Sequence, residues 1–313
     1  MKNSVLIISL ITVLLNGCGC LADSNRAAFT WKENTQGVEL LENGKPVFFY
    51  QREPKSTKNG YLFNNYIHPL YSINGDTLTE EFPQDHPHHR GIFWAWHQIY
   101  IGNQSVGDGW MMENIVQNVV QIRTKSNKNQ AVMKIHAFWG SRVYQNAKSF
   151  MEEKTTIVVH MLQSSVRKID FRISLHALVS GVTLGGSDDE KGYGGFSLRL
   201  RLPDNLVFTS VNGPVIPQEL QIRAGPWIDL SGSFGKDKET CGVTILSHPD
   251  TPNYPEPWIL RQKASMQNVV FPGREKINIT MGKPVVLRYR LLIHNGSAGD
   301  IDINKLQAED ADN

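Results

Sequence analysis

Lys168-Ile169-Asp170-Phe171-Arg172-Ile173-Ser174-Leu175-His176-Ala177-Leu178-Val179 decides the fold class. One face carries Ile169, Phe171, Ile173, Leu175, Ala177 and Val179, and the other carries Lys168, Asp170, Arg172, Ser174 and His176. Successive side chains of a strand point to opposite faces, so this period of two reads as a half-buried strand. The stretch from Val285 to Asn295 repeats the pattern, setting Val285, Leu287, Tyr289, Leu291 and Ile293 against Arg288, Arg290 and His294. Met133, Ile135, Ala137 and Trp139 form a third such face, and Leu198, Leu200 and Leu202 a fourth. Asn43-Gly44, between Val38 to Leu41 and Pro46 to Tyr50, is the preferred pair for a type I′ hairpin turn, where both residues need positive φ. Helical periodicity is confined to the tail after Asp300. Many strands with frequent Gly and Pro punctuation predict an all-β protein, a large antiparallel β-sandwich. No internal repeat or low-complexity linker divides residues 24–313, which predicts a single β-sandwich domain. Polar faces such as that of His176, or of His294, are either left in solvent or curved into a ligand-binding concavity.

Residues 1–22 read as a signal peptide: Lys2 is its positive end, and Val5 to Leu15 is an apolar run too short to span a bilayer. Leu15-Asn16-Gly17-Cys18 resembles the lipobox of bacterial lipoproteins, with Asn16 departing from the usual pattern. The other reading is cleavage after Leu21-Ala22. The expectation is an exported protein, periplasmic or at the cell surface, lipid-anchored at Cys18 and touching a membrane only through that anchor. A net charge of +2 gives no field for nucleic acid. Of three cysteines, Cys18 and Cys20 lie in the leader, leaving Cys241 as one packing thiol and no disulfide framework.

The chemistry concentrates in Asp85-His86-Pro87-His88-His89-Arg90-Gly91, followed by Trp94, Trp96 and His97; four of the ten histidines fall there. Histidine titrates near neutrality and is the commonest metal ligand, so the segment predicts proton transfer, metal binding or both. In extended backbone, His86 and His88 share one face and His89 takes the other. His88, His89 and His97 are candidate acid–base groups, with His68 and His248 as partners from elsewhere. His86, His88 and His89 are the candidate ligands of a divalent metal, although no recognised metal-ligand spacing is present and no cofactor is predicted. Trp94 and Trp96 face one side together, which suits either a packed core or a wall that stacks on sugar rings. Trp110 follows Gly107-Asp108-Gly109 in a loop.

Two further loops carry polar groups. Asp188-Asp189-Glu190-Lys191-Gly192-Tyr193-Gly194-Gly195 lacks a phosphate-loop pattern, yet Lys191 and Tyr193 can orient an anion. Ser247-His248-Pro249-Asp250 leads to Tyr254, Trp258 and Arg261 through a proline-stiffened loop. Arg90, Lys191 and Arg261 are candidate anion-binding cations, and Trp258 is a further stacking surface. Asp85, Glu113, Glu152 and Asp188 are the carboxylates available if the chemistry is glycosidic.

His68-Pro69-Leu70-Tyr71, the Asp85 to Gly91 motif, Lys191 to Gly195, His248-Pro249 and Tyr289 to Gly296 together resemble an uncharacterised bacterial family whose members carry the label "methane oxygenase PmoA". That label implies a histidine-ligated metal oxidase or oxygenase. At the level of fold the chain also resembles the galactose-mutarotase-like β-supersandwiches, which implies sugar chemistry by histidine and carboxylate pairs on a concave sheet. The sequence therefore predicts an exported carbohydrate-active enzyme, a hydrolase, lyase or epimerase, acting on a sugar or charged glycan fragment. The other readings are a non-catalytic carbohydrate-binding lipoprotein and the metal-dependent oxidase.

Overall fold

The computed structural model describes residues 28–57, 60–235, 239–263 and 266–311. The signal peptide and Cys18 lie outside the described residues. Strand accounts for 53 % of the structure and helix for 5 %, so the chain is an all-β sandwich. Among the described residues one sheet has nine strands, in the spatial order Ile115–Ser126, Gln130–Ser141, Ser149–His160, Val166–Ala177, Val285–Asn295, Cys241–Ser247, Trp227–Gly232, Val207–Ser210 and Gly213–Pro214. The other has eight: Phe29–Glu33, Gly37–Glu42, Lys45–Gln51, Tyr66–Leu70, Ile92–Trp96, Gly194–Leu198, Gln267–Val270 and Trp258–Ile259. A smaller sheet joins Ile277–Ile279, Val182–Gly185, Gln98–Ile101 and Gln104–Gly107.

The strand Val166–Ala177 shows why the two large sheets stack. Ile169, Phe171, Ile173 and Leu175 are buried and pair in register with Val285–Asn295, which places Leu291, Tyr289, Leu287 and Val285 beside them. Phe171 meets Phe196 of the opposite sheet with ring centroids 5.1 Å apart, and Phe196 stacks on Tyr289 at 4.6 Å. Each such side chain contributes about 1.5–3 kcal/mol when removed from water. Asn43 and Gly44 take φ of 51° and 80°, the geometry their hairpin was expected to need. Cys241 is a buried packing residue whose thiol burial pushes up to about 11.

The strand Ile92–Trp96 is buried at every position, because both faces of its sheet are covered. Trp94 and Trp96 therefore belong to the core and offer no wall to a ligand. Trp96 donates from Nε1 to the Phe271 carbonyl at 2.9 Å. Trp94 lies against Glu153, an acid buried between the sheets that accepts from Asn65, Trp139 and Thr155. Burial raises the Glu153 carboxyl, and those donors oppose the rise. Trp258 is likewise fully buried, its Nε1 donating to Gly225 O at 2.9 Å, so the third expected stacking surface is also core.

The helix Ile303–Ala311 covers part of the nine-stranded sheet from outside, packing Ile303 against Trp227, Leu246 and Leu292. His294, expected on an accessible polar face, is fully buried there with Nε2 2.8 Å from Asp229. The outer face of Gln130–Ser141, Ser149–His160 and Val166–Ala177 stays accessible, with Lys134, Lys154 and Arg172 exposed.

Candidate functional site

The motif is a turn rather than a strand. His86 N donates to Pro83 O and His89 N to His86 O, which places residues three apart one above the other. The His86 and His89 rings consequently stack at 4.5 Å and 2°, correcting the expectation that they face opposite ways. His88 meets His89 edge-on at 4.6 Å. The turn is clamped at its base by Phe82 N to His89 O and Gly91 N to Glu80 O. Gly91 has φ of +41°, and a Cβ there would lie 1.9 Å from Ile67 O, so only glycine lets the turn join its strand.

His97 reaches the turn from the end of Ile92–Trp96. Gly109 N donates to Trp96 O at 2.9 Å, pinning the loop after Gln104–Gly107 beside it. Asp108 then accepts the Trp110 and Met111 amides on Oδ1 at 2.7 and 2.9 Å, while its Oδ2 lies 2.8 Å from His97 Nδ1. One carboxylate thus closes its own turn and orients an imidazole. Gly107 cannot carry a side chain, since a Cβ would sit 2.4 Å from Glu113 O.

Trp110 is the hub. It stacks on His97 at 5.0 Å and 19°, meets His89 edge-on at 6.5 Å, and tilts against Tyr193 at 5.7 Å. The Arg261 guanidinium lies 5.6 Å from the Tyr193 ring centre. His89, His97 and Tyr193 are therefore brought together on an indole that is itself only 2 % exposed, with His86 and His88 joined through His89 and Arg261 through Tyr193.

The electrostatics separate the histidines. Burial, reinforced by His86, Arg90 and His97, lowers His88 to about 4. Burial, with His88, His86 and Arg199 adding to it, lowers His89 to about 2. Arg199 Nη1 lies 3.3 Å from His89 Nδ1; with arginine donating, the ring proton belongs on Nε2. His89 is thus a neutral, buried packing ring and not the acid or base expected of it. Asp85 lies 2.9 Å from His86 Nδ1 and 3.2 Å from Arg199 Nη2; burial raises its carboxyl, but those two partners outweigh it and hold it low.

Several expected ligands have other duties. Arg90 is 1 % exposed, lies between the Phe63 and Phe93 rings at 4.4 and 4.1 Å, and donates from Nη1 to His88 O and Trp110 O. It ties the two loops together and cannot meet a substrate anion; burial lowers its guanidinium to about 9. Arg261 gives its guanidinium to the carbonyls of Gln218, Glu219 and Leu260, and Lys191 lies 3.6 Å from Glu219. His68 pairs with Thr79 at 2.9 Å and is lowered to about 4 by burial, and among the described residues it makes no ring contact with the clustered histidines. His248 is buried at the end of Cys241–Ser247, its Nδ1 accepting from the Asp250 amide, on the other large sheet.

Of the four candidate carboxylates, only Asp85 joins the cluster. Glu113 pairs through its backbone with Asp108, Glu152 binds His136 and Lys154 on the outer face of the nine-stranded sheet, and Asp188 pairs with Arg274. Asp108, Arg199 and Glu80 were missed by sequence reasoning. An Asp between glycines just before Trp110 is the signal that can find Asp108, because such a side chain caps the amides that follow it. The ring packing of His86, His88 and His89 does not aim three nitrogens at one point. Among the described residues no three His, Cys, Asp or Glu side chains form a group able to hold a metal ion.

A family model described as "Family of unknown function (DUF6807)" matches residues 37–308, a span that contains every residue of this cluster. The chain belongs to this family. Comparison with curated proteins gives no match. The site of this DUF6807 chain is accordingly read from its own geometry.

Proposed function

We propose that the chain is an exported carbohydrate-active enzyme, a hydrolase, lyase or epimerase, whose proton-transfer group is the His97–Asp108 dyad. The observation that carries this reading is the dyad itself. His97 Nδ1 is 2.8 Å from an Asp108 whose other oxygen is locked by two backbone amides, and the imidazole, stacked on Trp110, is still 24 % exposed. With Nδ1–H donated to Asp108, Nε2 is the nitrogen that takes a proton from substrate, and the carboxylate stabilises the imidazolium that results. His88, neutral at pH 7, serves beside it as a hydrogen-bonding partner to a hydroxyl, with His86, Asp85 and Tyr193 on the rim. Alternating donors and acceptors of this kind suit a polyhydroxylated ligand better than an apolar one.

Kinship with galactose-mutarotase-like supersandwiches is part of this proposal, supported by the two large stacked antiparallel sheets. Export and a lipid anchor at Cys18 are part of it too, supported by the leader sequence. Among the described residues no helix is long and apolar enough to cross a membrane. The metal-oxidase reading draws no support from the stacked histidine rings.

The test is a panel of neutral and uronic-acid oligosaccharides incubated with purified protein, with products followed by anion-exchange chromatography and anomeric or epimeric change by NMR. We expect turnover of at least one member, and a rate lower by about 10²–10⁴-fold in His97→Ala with the circular dichroism spectrum unchanged. Turnover at the original rate in His97→Ala, or no turnover across the panel, would sink the assignment.

A further inference from the structure

We propose that the accessible outer face of the nine-stranded sheet holds a binding site for a tetrahedral oxyanion, a sulfate or phosphate group, gripped by Arg172, Arg288 and His160. The site is separate from the His97 dyad, shares none of its residues and does not rest on the enzymatic reading.

The face carries a depression of about 300 Å³ spanning four strands, with Thr156 and Val158 in its floor. Strand register puts Arg172 directly opposite Arg288. Like charges facing each other across a strand pair are destabilising unless something lies between them. Arg288 Nη1 meets Asp250 at 3.0 Å, but that carboxylate is 71 % exposed and lies towards solvent. Arg172 is exposed and has no hydrogen-bond or ion-pair partner among the described residues. The adjoining strand pair adds no acid there, since the residue opposite Arg172 on Ser149–His160 is Thr156.

The acid inside the depression does not cancel this charge. Asp170 gives one oxygen to Arg290 Nε and the other to Arg290 Nη2 at 2.9 Å, and His160 Nε2 lies 2.6 Å from that second oxygen. Arg290 is 2 % exposed and is itself fixed by donating to Leu306 O at 3.1 Å. Asp170 and Arg290 thus form a neutral base for the depression, and they hold the His160 ring in place with Nδ1 unengaged among the described residues. What faces the ligand is a pair of guanidinium groups and an imidazole, supplied by three strands. A planar carboxylate is saturated by one arginine fork, whereas a tetrahedral dianion offers oxygens in enough directions to meet all three groups. The same chemistry occurs in free inorganic anions and in sulfate or phosphate esters of a sugar.

The experiment is calorimetric titration of the purified protein with sodium sulfate, sodium phosphate and a sulfated disaccharide, at constant ionic strength kept with chloride. We expect saturable binding of at least one probe, weakened at least tenfold in Arg172→Ala and again in Arg288→Ala. Lys154→Ala removes an exposed cation of the same face that is already paired with Glu152, and leaves affinity within about twofold. Tighter binding of the disaccharide than of the inorganic ions assigns the site to an ester group, and the reverse order to the free anion. Absence of saturable binding, equal competition by chloride, or undiminished affinity in Arg172→Ala overturns the proposal. Because Arg172 is exposed and unpaired, its removal leaves the fold intact and the result interpretable even if Arg288→Ala fails to fold.

Discussion

His97 and His160 each place a ring nitrogen on a carboxylate, at 2.8 and 2.6 Å, but the two carboxylates are held in opposite ways. Asp108 is fixed by backbone amides of its own loop on one oxygen and turns the other to the imidazole. Asp170 is fixed by a buried arginine on the neighbouring strand, which neutralises it. The first arrangement suits the proton transfer proposed for His97. The second leaves a basic depression and suits holding an anion. A histidine–carboxylate pair therefore has no single meaning; the partner behind the carboxylate decides what the pair can do.

The same substitution at the two sites gives the sharpest separation. Asp108→Asn is expected to lower turnover by about 10²–10⁴-fold, because the imidazolium loses its counter-charge, with a small change in melting temperature. Asp170→Asn removes the carboxylate charge that grips the buried Arg290 guanidinium through two nitrogens, and is expected to cost about 3–5 kcal/mol of stability in urea denaturation. An exchange of these outcomes, stability lost at Asp108 and rate at Asp170, would break the comparison.

The loop-held site depends on glycines in a way the strand-held site does not. Gly107→Ala forces a Cβ to within 2.4 Å of Glu113 O at φ of +145°, and is expected to cost about 3 kcal/mol. Urea midpoints measure this directly, and a loss below about 0.5 kcal/mol would show that the loop can move aside.

Acid separates the sites next. His89 is lowered to about 2 in the folded protein, so the unfolded chain takes up its proton first as pH falls. Its contribution is fully present above about pH 6.5 and is lost on acidification towards the folded value, at about 1.4 kcal/mol per pH unit. Between pH 7 and 5 that amounts to about 2 kcal/mol, measurable as a falling urea midpoint. His89→Gln should flatten this part of the profile, and an unchanged slope would remove His89 as its source.

The smallest effect has the opposite sign. Arg172→Ala relieves its repulsion with Arg288 and should stabilise the ligand-free protein by about 0.2–1 kcal/mol. A loss of stability there would mean that the two guanidinium groups are not in conflict.

The stretch from Lys168 to Ala177 showed its strand character, and Asn43-Gly44 its turn, because both are short-range properties of the backbone. The crowding of His86, His88, His89 and His97 around one place was likewise visible in sequence. Its inner organisation was not. The turn at Pro83 to His89 rotated His86 onto His89, and long-range packing sealed Trp94, Trp96 and Trp258 into the core. Arg90 looked like an anion ligand, yet it serves as a buried tie between two loops. Asp170, Arg172 and Arg288 were read as one polar face of two strands, with no sign that Arg172 and Arg288 would stand opposite each other.

What the sequence determined alone is the all-β class, the strand faces and the neighbourhood of the histidine cluster. These follow from alternation and turn chemistry, which act over a few residues. The tertiary structure decided which histidine has a carboxylate behind it, which aromatic is covered, and which cations confront one another. Those outcomes depend on sheet order and register, which join residues far apart in the chain, and a shift of one residue in register would turn a strand's side chains to the opposite face.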